Sequence, residues 1–433
     1  MQLGPALLSS LLIHSFVYAI PAPSPASAAA QSTSTIRYAS DDPNNPLWVP
    51  DSNVVPEPIR GSLGGKVLGP QNVPMDLQNP DALAGPTTDN GDVPNFKWPF
   101  SLSHNRLATG GWSRQQNVHQ MPVATDLAGV NMMLKPGAIR EMHWHNTAEW
   151  AYMLKGDIRI STMTPEGQIY VADVTAGDLW YFPPGHPHSI QALNTTKDGA
   201  EFLLVFDSGS FSEDATFLLT DWLAHVPKEV IAKNFQIDIS AFDHIPDKQL
   251  YVFPGIPPPA DVVEDRVIPN NTPEPYTFPL SKVNATRHSG GSMKIVDTRT
   301  FKVSKTICAV EVQVEVGGMR ELHWHPTEPE WTYFITGTAR VTSFASQAAA
   351  QTFDFKGGDI SYIPPSFGHY IENTGNSTLV FLEIFKSGLV QDISLNQWLA
   401  LTPANLVKAH LGFSDETIKK LSKTKQSVVG PAH

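Results

Sequence analysis

Two histidine pairs separated by one residue, His143-Trp144-His145 and His323-Trp324-His325, stand in near-identical settings in this chain. Each has a carboxylate close behind it, Glu149 or Glu330, and an arginine three residues ahead, Arg140 or Arg320. Alternate residues of a β-strand share a face, so each pair can aim both imidazoles at one point. A later histidine, His188 or His369, completes a set of three nitrogens and one oxygen. On a six-coordinate ion such a set leaves two adjacent positions for a small acid, or for an acid and dioxygen. Nitrogen with carboxylate suits Mn, Fe, Ni or Zn, and the order of their affinities leaves the choice open. Catalytic zinc usually keeps three protein ligands, which points here to a redox or Lewis-acid metal. The arginines are ambiguous. Their odd spacing from the first histidine puts them on the other face of a regular strand, so only a bulge or bend would turn them inward. Turned inward, a guanidinium is a carboxylate clamp. Turned outward, it would pair with Glu141 or Glu321.

The elements that must position these residues are themselves duplicated. Trp98-Pro99-Phe100 matches Phe278-Pro279-Leu280, Gly110-Gly111 matches Gly290-Gly291, and the His-x-His motifs follow at the same offset of 180 residues. One extra residue before Glu330 raises the offset to 181, at which Gly177-Asp178, Pro183-Pro184 and His188 match Gly358-Asp359, Pro364-Pro365 and His369. A repeat of this size is a duplicated domain. Within each copy short strand-like runs alternate with Gly and Pro turns, as in a barrel or sandwich, and each copy ends in helix. Ser394-Leu-Asn-Gln397 is a capping-box pattern, and Thr402-Pro403 and Ser414-Asp-Glu are further helix starts.

Composition agrees with an all-β chain. Of 433 residues, 37 are proline and 17% are charged, against about 25% in ordinary proteins. A net charge of −12 supplies no basic stripe for nucleic acid. The apolar run Leu3–Ile20, ending in Val17-Tyr18-Ala19, reads as a secretory signal, too short for a membrane span. Sequons at Asn194, Asn270, Asn284 and Asn376 agree with a secreted, extracellular glycoprotein. The single cysteine, Cys308, reads as a core residue. The resulting division is signal 1–19, low-complexity leader 20–60, amino-terminal domain with arm and lid 61–250, linker 251–275 and carboxy-terminal domain 276–433.

Gly137–Gly156 and Gly317–Gly337 fit the first cupin motif, and Gly177–His188 and Gly358–His369 the second, with Ser366 in place of its usual glycine. From about Pro94 to Leu411 the chain resembles the bicupin oxalate decarboxylases, most closely in Arg-Glu-Leu-His-Trp-His and Ser-Leu-Asn-Gln-Trp-Leu-Ala-Leu-Thr-Pro, and its export features match a fungal, secreted member. The resemblance implies two jelly-roll barrels, each with one manganese ion, and conversion of oxalate to formate and carbon dioxide. Dioxygen is then a redox cofactor, Arg140 and Arg320 face their metals and bind substrate, and the chain assembles as a trimer or hexamer. It also implies a lid over the amino-terminal metal. Phe211-Ser-Glu-Asp-Ala-Thr216 matches that lid in place, with Glu213 as the proton donor. Asp214 and Ala215 depart from the bacterial lid, and a carboxylate at 214 is expected to repel charge on Glu213. The second copy has Phe385-Lys-Ser-Gly-Leu-Val-Gln-Asp392 instead, with no lid glutamate. It has Glu383, which the resemblance puts near the carboxy-terminal metal, and Val390 where bacterial members carry tyrosine. Turnover is therefore expected at the amino-terminal centre, with the second in a supporting role. The rivals are an oxalate oxidase releasing hydrogen peroxide, a cupin dioxygenase for aromatic substrates, and a non-enzymatic bicupin storage protein.

Overall fold

The computed structural model describes residues 89–431. The expected signal, the leader and most of the arm lie outside the described residues. Among the described residues, antiparallel strands form four sheets, two per repeat, as expected for a pair of jelly rolls.

The amino-terminal copy has a seven-stranded sheet in the order Thr277–Phe278, Leu179–Phe182, Glu149–Lys155, Ala200–Phe206, Ala128–Leu134, Gly111–Gln116 and Asn105–Ala108. Its central strands are apolar on both faces, which is why they read as continuous runs rather than alternating ones. In Glu149–Lys155, Ala151 and Met153 point into the jelly roll, while Trp150 and Tyr152 point the other way, into a core shared with the second copy. There they meet Trp331, Tyr333, Ile360 and Leu382. Each large side chain buried in this seam contributes roughly 1.5–3 kcal/mol. Gly129 is required by it, since a Cβ there would lie 2.3 Å from the Trp331 ring. Tyr152 Oη donates to Glu311 across the seam (3.0 Å), and Trp331 Nε1 donates to Gln116 (2.7 Å).

The second sheet of each copy has one face toward solvent and carries the histidines. In the amino-terminal copy its order is Phe217–Leu218, Ile139–Trp144, His188–Ala192, Asp157–Met163 and Ile169–Thr175. Val252–Phe253 also pairs with Ile139–Trp144. The proposed linker therefore starts too early at 251: its first residues belong to the amino-terminal sheet.

The arm and the second copy's first strand change places. Lys97–Pro99, expected in the amino-terminal domain, pairs with Asp359–Ile363 of the carboxy-terminal one, and Asn90 bridges Ala350. Thr277–Phe278 pairs in return with Leu179–Trp180. Extended segments carry no local mark of which sheet edge they will join, so a division by sequence assigns each of these strands to the copy whose sheet it does not join.

The expected helices are Leu219–Ala224 and Lys228–Phe235 after the first copy, and Leu395–Leu401, Ala404–Leu411 and Asp415–Lys419 after the second. Ser394 caps its helix by accepting from Gln397 N, but the reciprocal half of the box is absent: the Gln397 amide turns to Lys423 O. Cys308 is buried in the carboxy-terminal core. Among the described residues no helix is long and apolar enough to cross a membrane.

Candidate metal centres

The sequence-predicted ligands come together as two sets. His143, His145, Glu149 and His188 form one, and His323, His325, Glu330 and His369 the other; within each set the ligating atoms lie within 4.8 Å of one another, and all eight residues are buried. The two sheets supply opposite sides. His143 pairs directly with His188 on the solvent-facing sheet, while Glu149 opens a strand of the large sheet. The second copy repeats this with His323, His369 and Glu330.

Every ring is held from behind. The Nδ1 atoms of His143, His145 and His188 sit 2.5, 2.7 and 2.8 Å from the carbonyls of Glu141, Thr147 and His186. Those of His323, His325 and His369 sit 2.6, 2.7 and 2.9 Å from the carbonyls of Glu321, Gln391 and Phe367. A carbonyl only accepts, so the proton is on Nδ1 and the Nε2 lone pair faces inward. Nε2 of His188 and of His323 is buried with no hydrogen-bond partner. Burial, then the nearby Arg140 charge and the neighbouring rings, hold His143 well below the ordinary histidine range, and His323 is lowered in the same way beside Arg320. Burial pushes the Glu149 carboxyl up, but the facing rings of His145 and His188 more than reverse this and hold it well below the usual carboxylate range. Imidazole Nε2 atoms converging on an ionised carboxylate are a donor set for a divalent cation. The residues fit a metal at both centres.

Glu149 and Glu330 are oriented by different groups that the motifs did not mark. Trp180 Nε1 donates to Glu149 Oε1 (3.0 Å), and Thr332 Oγ1 donates to Glu330 Oε1 (2.5 Å).

Both arginines face inward, and a bulge is the reason. Across the pair of strands, His143 and Arg140 are three residues apart where their partners His188 and Ile190 are two apart; Arg320 and His323 show the same shift against Ile371 and His369. The extra residue turns an odd spacing into a shared face. The alternative pairing with Glu141 or Glu321 does not form. Glu141 instead accepts from Thr220 N (2.7 Å) and Tyr251 N (2.7 Å), and Glu321 from Ser394 Oγ (2.7 Å) and Ser427 N (2.9 Å). These carboxylates tie the ligand strand to the helix that follows each copy and to the backbone at Tyr251 or Ser427.

Glu213 lies in a short 3₁₀ turn, Glu213–Ala215, and is buried. Its Oε2 accepts from Arg140 Nη2 (3.1 Å) and from Tyr251 Oη (2.9 Å). The segment is pinned on both sides. Phe211 stacks on Phe206 with 3.4 Å between ring centroids, and Phe217–Leu218 pairs with His143–Trp144. Asp214 does not oppose Glu213 as expected: it turns outward to Arg106, 3.1 Å away, where its charge is matched. A cavity of about 240 Å³ abuts the segment, lined by Arg106, Ser113, Arg114, Gln115, Glu213 and Asp214. Between Phe206 and Leu218 lie eleven residues (207–217), and between their counterparts Phe385 and Ser394 lie eight (386–393). The first copy's segment is three residues longer, the length of the Glu213 turn.

At the second centre Arg320 donates from Nε to Glu383 (3.0 Å), from Nη2 to Asp392 (2.7 Å) and from Nη1 to the Ser427 carbonyl (3.4 Å). Arg140 differs, with Nε and Nη1 buried and unpartnered. Asp392 and Tyr251 were not singled out from the sequence. Their only signal is the repeat itself: Tyr251 and Ser427 bond the same strand position through Glu141 N and Glu321 N, and both have positive φ, +61° and +54°.

Of the sequons, Asn194, Asn284 and Asn376 are exposed. The Asn270 amide is engaged, accepting from Val171 N (2.8 Å) and donating to Val171 O (3.0 Å).

A cupin family model matches residues 103–241 and 279–419. Oxalate decarboxylase OxdC of Bacillus subtilis (strain 168) is 51% identical over 381 residues, covering 87% of this chain and 97% of that one. An oxalate decarboxylase of Arthroderma benhamiae is 39% identical over 403 residues, covering 86% and 93%. A solved structure of a variant of the Bacillus subtilis protein matches with a TM-score of 0.83 at 50% identity, over 88% of this chain and all of that one. A second matching structure of it, TM-score 0.82, concerns the EPR fine structure of its Mn(II) centres.

Proposed function

The chain belongs to the bicupin oxalate decarboxylases, and from that premise we propose that its amino-terminal centre carries turnover, with Arg140 holding substrate and Glu213 moving the proton. It is a carboxy-lyase converting oxalate to formate and carbon dioxide. His143, His145, Glu149 and His188 would hold one manganese ion, and His323, His325, Glu330 and His369 a second. When bound, manganese supplies Lewis acidity and a one-electron couple, for which dioxygen is the redox cofactor in this reading.

The observation that carries the site assignment is the contact between Arg140 and Glu213 under a segment longer in this copy alone. A carboxylate takes the Nε–Nη2 or the Nη1–Nη2 edge of a guanidinium; Glu213 engages Nη2, and the unpartnered Nε and Nη1 leave a free donor on the edge that Glu213 does not occupy. Conversion of oxalate monoanion to formate and carbon dioxide is neutral in protons: the one lost from oxygen reappears on the formate carbon. Glu213 carries it, adjacent to the arginine that fixes the substrate. The lid opens to admit substrate and closes to exclude water during reaction. At the second centre Arg320 and Glu383 support structure rather than turnover.

Formate and hydrogen peroxide assayed together test this, using the manganese-loaded protein with oxalate in acidic buffer under air. The native chain is expected to yield formate matching the oxalate lost, with little peroxide. Glu213→Ala is expected to lose formate production by roughly 10²–10⁴-fold. An unchanged rate would sink the assignment.

Two coarser readings go with it. The apolar run before Ala19 and the exposed sequons at Asn194, Asn284 and Asn376 support an exported glycoprotein; the mass and first residue of the mature chain test that. Exposed apolar residues at matching places on the two outer sheets, Met142 with Leu322 and Met163 with Phe344, support association of subunits, for which the resemblance implies a trimer or hexamer. Light scattering of the purified protein checks this.

A further inference from the structure

We infer that Asp392 is a built-in counter-anion that closes the carboxy-terminal centre to small carboxylates, and that this centre is a latent second site for formate or oxalate. The inference rests on the reading of Arg140 as the carboxylate clamp of the first centre.

A carboxylate that binds beside the metal ligands needs a guanidinium edge with free donors. At the first centre the edge is partly open, and the anion opposing it, Glu213, rides on a segment with three extra residues. At the second, Asp392 Oδ2 lies 2.7 Å from Arg320 Nη2. Asp392 cannot swing away as a lid residue could. Its Oδ1 is 2.5 Å from Lys425 Nζ, and the same ammonium takes the Asp392 carbonyl at 2.6 Å. The neighbouring Gln391 carbonyl is fixed to His325 Nδ1 (2.7 Å), and Ile393 pairs with Trp324. The short connection is therefore stapled on both sides of Asp392 and from the carboxy-terminal segment. Glu383 holds Nε from the barrel side. The remaining contact, Nη1 to the Ser427 carbonyl, is long at 3.4 Å. Removing Asp392 thus frees the Nη1–Nη2 edge, the planar fork that takes a carboxylate, while Glu383 keeps the guanidinium in place.

An internal anion competes with an external one by lowering the fraction of binding-competent sites. Its removal is expected to tighten formate binding at this centre by about a hundredfold.

The test uses manganese-loaded protein and formate, a small carboxylate that undergoes no decarboxylation. Crystals of the native chain, Asp392→Ala and Lys425→Met are soaked in formate, and binding is measured in parallel by calorimetry. The expected result is a carboxy-terminal centre without formate in the native chain and with formate on Arg320 in Asp392→Ala, with Lys425→Met between them. Asp392→Asn, which keeps the side-chain shape and removes its charge, serves if the alanine variant fails to fold. Formate at the carboxy-terminal centre of the native chain, as tightly bound as in the variants, would overturn the inference. So would variants with Arg320 in place and no formate on it. Carboxy-terminal occupancy that follows Asp392, with formate missing from Arg140 in the same crystals, would support the latch and overturn the Arg140 reading.

Discussion

Arg140 and Arg320 stand on matching strands, behind matching histidines, turned inward by the same bulge, and they meet opposite fates. Arg140 donates to Glu213 and keeps two buried nitrogens unpartnered; Arg320 is held by Glu383, Asp392 and a backbone carbonyl. Two local changes make the difference. On the strand behind the metal ligands, Leu204 pairs with Val130 where Glu383 pairs with Val310, so only the second copy buries a carboxylate there. In the connection that follows, the first copy has three more residues, and its opposing anion sits on the turn they form. The two copies of one metal box thus differ in how the anion facing the arginine is anchored, and the proposal of a single working centre rests on that difference.

Truncating the two arginines should separate these roles most widely. Arg140→Ala is expected to lower kcat/KM for oxalate by about 10²–10³-fold, as removing one pre-set donor does in other enzymes. It should cost less stability, because in the proposed lid Glu213 would turn out to water with its segment. Arg320→Ala leaves two buried carboxylates facing each other and should destabilise the fold by about 3–5 kcal/mol. Formate kinetics and chemical denaturation of both variants check this. Equal losses of stability would remove the distinction between a mobile and a fixed anion.

Glu383 sharpens the comparison through pH. Burial, outweighing the attraction of Arg320, moves its carboxyl from the ordinary 4.5 up to about 7. The folded chain then binds a proton that the unfolded chain has released. Its contribution to stability is fully present below about pH 4.5 and is lost as pH rises through about 7, a fall on the order of 2–3 kcal/mol. His143 and His323, held low, contribute the opposite trend over much of this window, so the Glu383 share is read as the difference between native and Glu383→Gln in metal-free protein, and it should shrink when manganese adds positive charge nearby. Unfolding free energies of metal-free native and variant protein between pH 4.5 and 7 measure it. An identical slope in Glu383→Gln would assign it to other groups.

The ligands were legible because alternation on a strand is a local rule and the pattern occurs twice. The inward turn of Arg140 and Arg320 was not, since a bulge is visible only against a partner strand. Glu213 carried no signal of its own and was found through resemblance. Asp392 was hidden because its meaning comes from Lys425 and Arg320, 33 and 72 residues away. The exchange of Lys97–Pro99 and Thr277–Phe278 was hidden for the same reason: a short extended segment fits any open sheet edge.

The smallest expected effect concerns the turn before the last ligand, where Ser366 replaces the usual glycine. Gly185 and Ser366 are both left-handed, with φ of +76° and +68°. Each donates its N–H to the second histidine of its pair, Gly185 to the His145 carbonyl (2.8 Å) and Ser366 to that of His325 (2.7 Å). A side chain in this conformation costs about 1–2 kcal/mol. Ser366 offsets part of that with a hydrogen bond from Oγ to the Pro326 carbonyl (2.9 Å), and glycine would lose more backbone entropy on folding. Ser366→Gly should therefore raise stability by no more than about 1 kcal/mol. The reverse change, Gly185→Ser, should lower it by a similar amount, since a Cβ at Gly185 meets no atom within 4 Å and only the backbone resists. Thermal unfolding of the two variants measures both. A loss of several kcal/mol from Gly185→Ser would mean that the amino-terminal turn is constrained beyond its own backbone, and that the two centres diverge in the ligand turn as well as around the arginine.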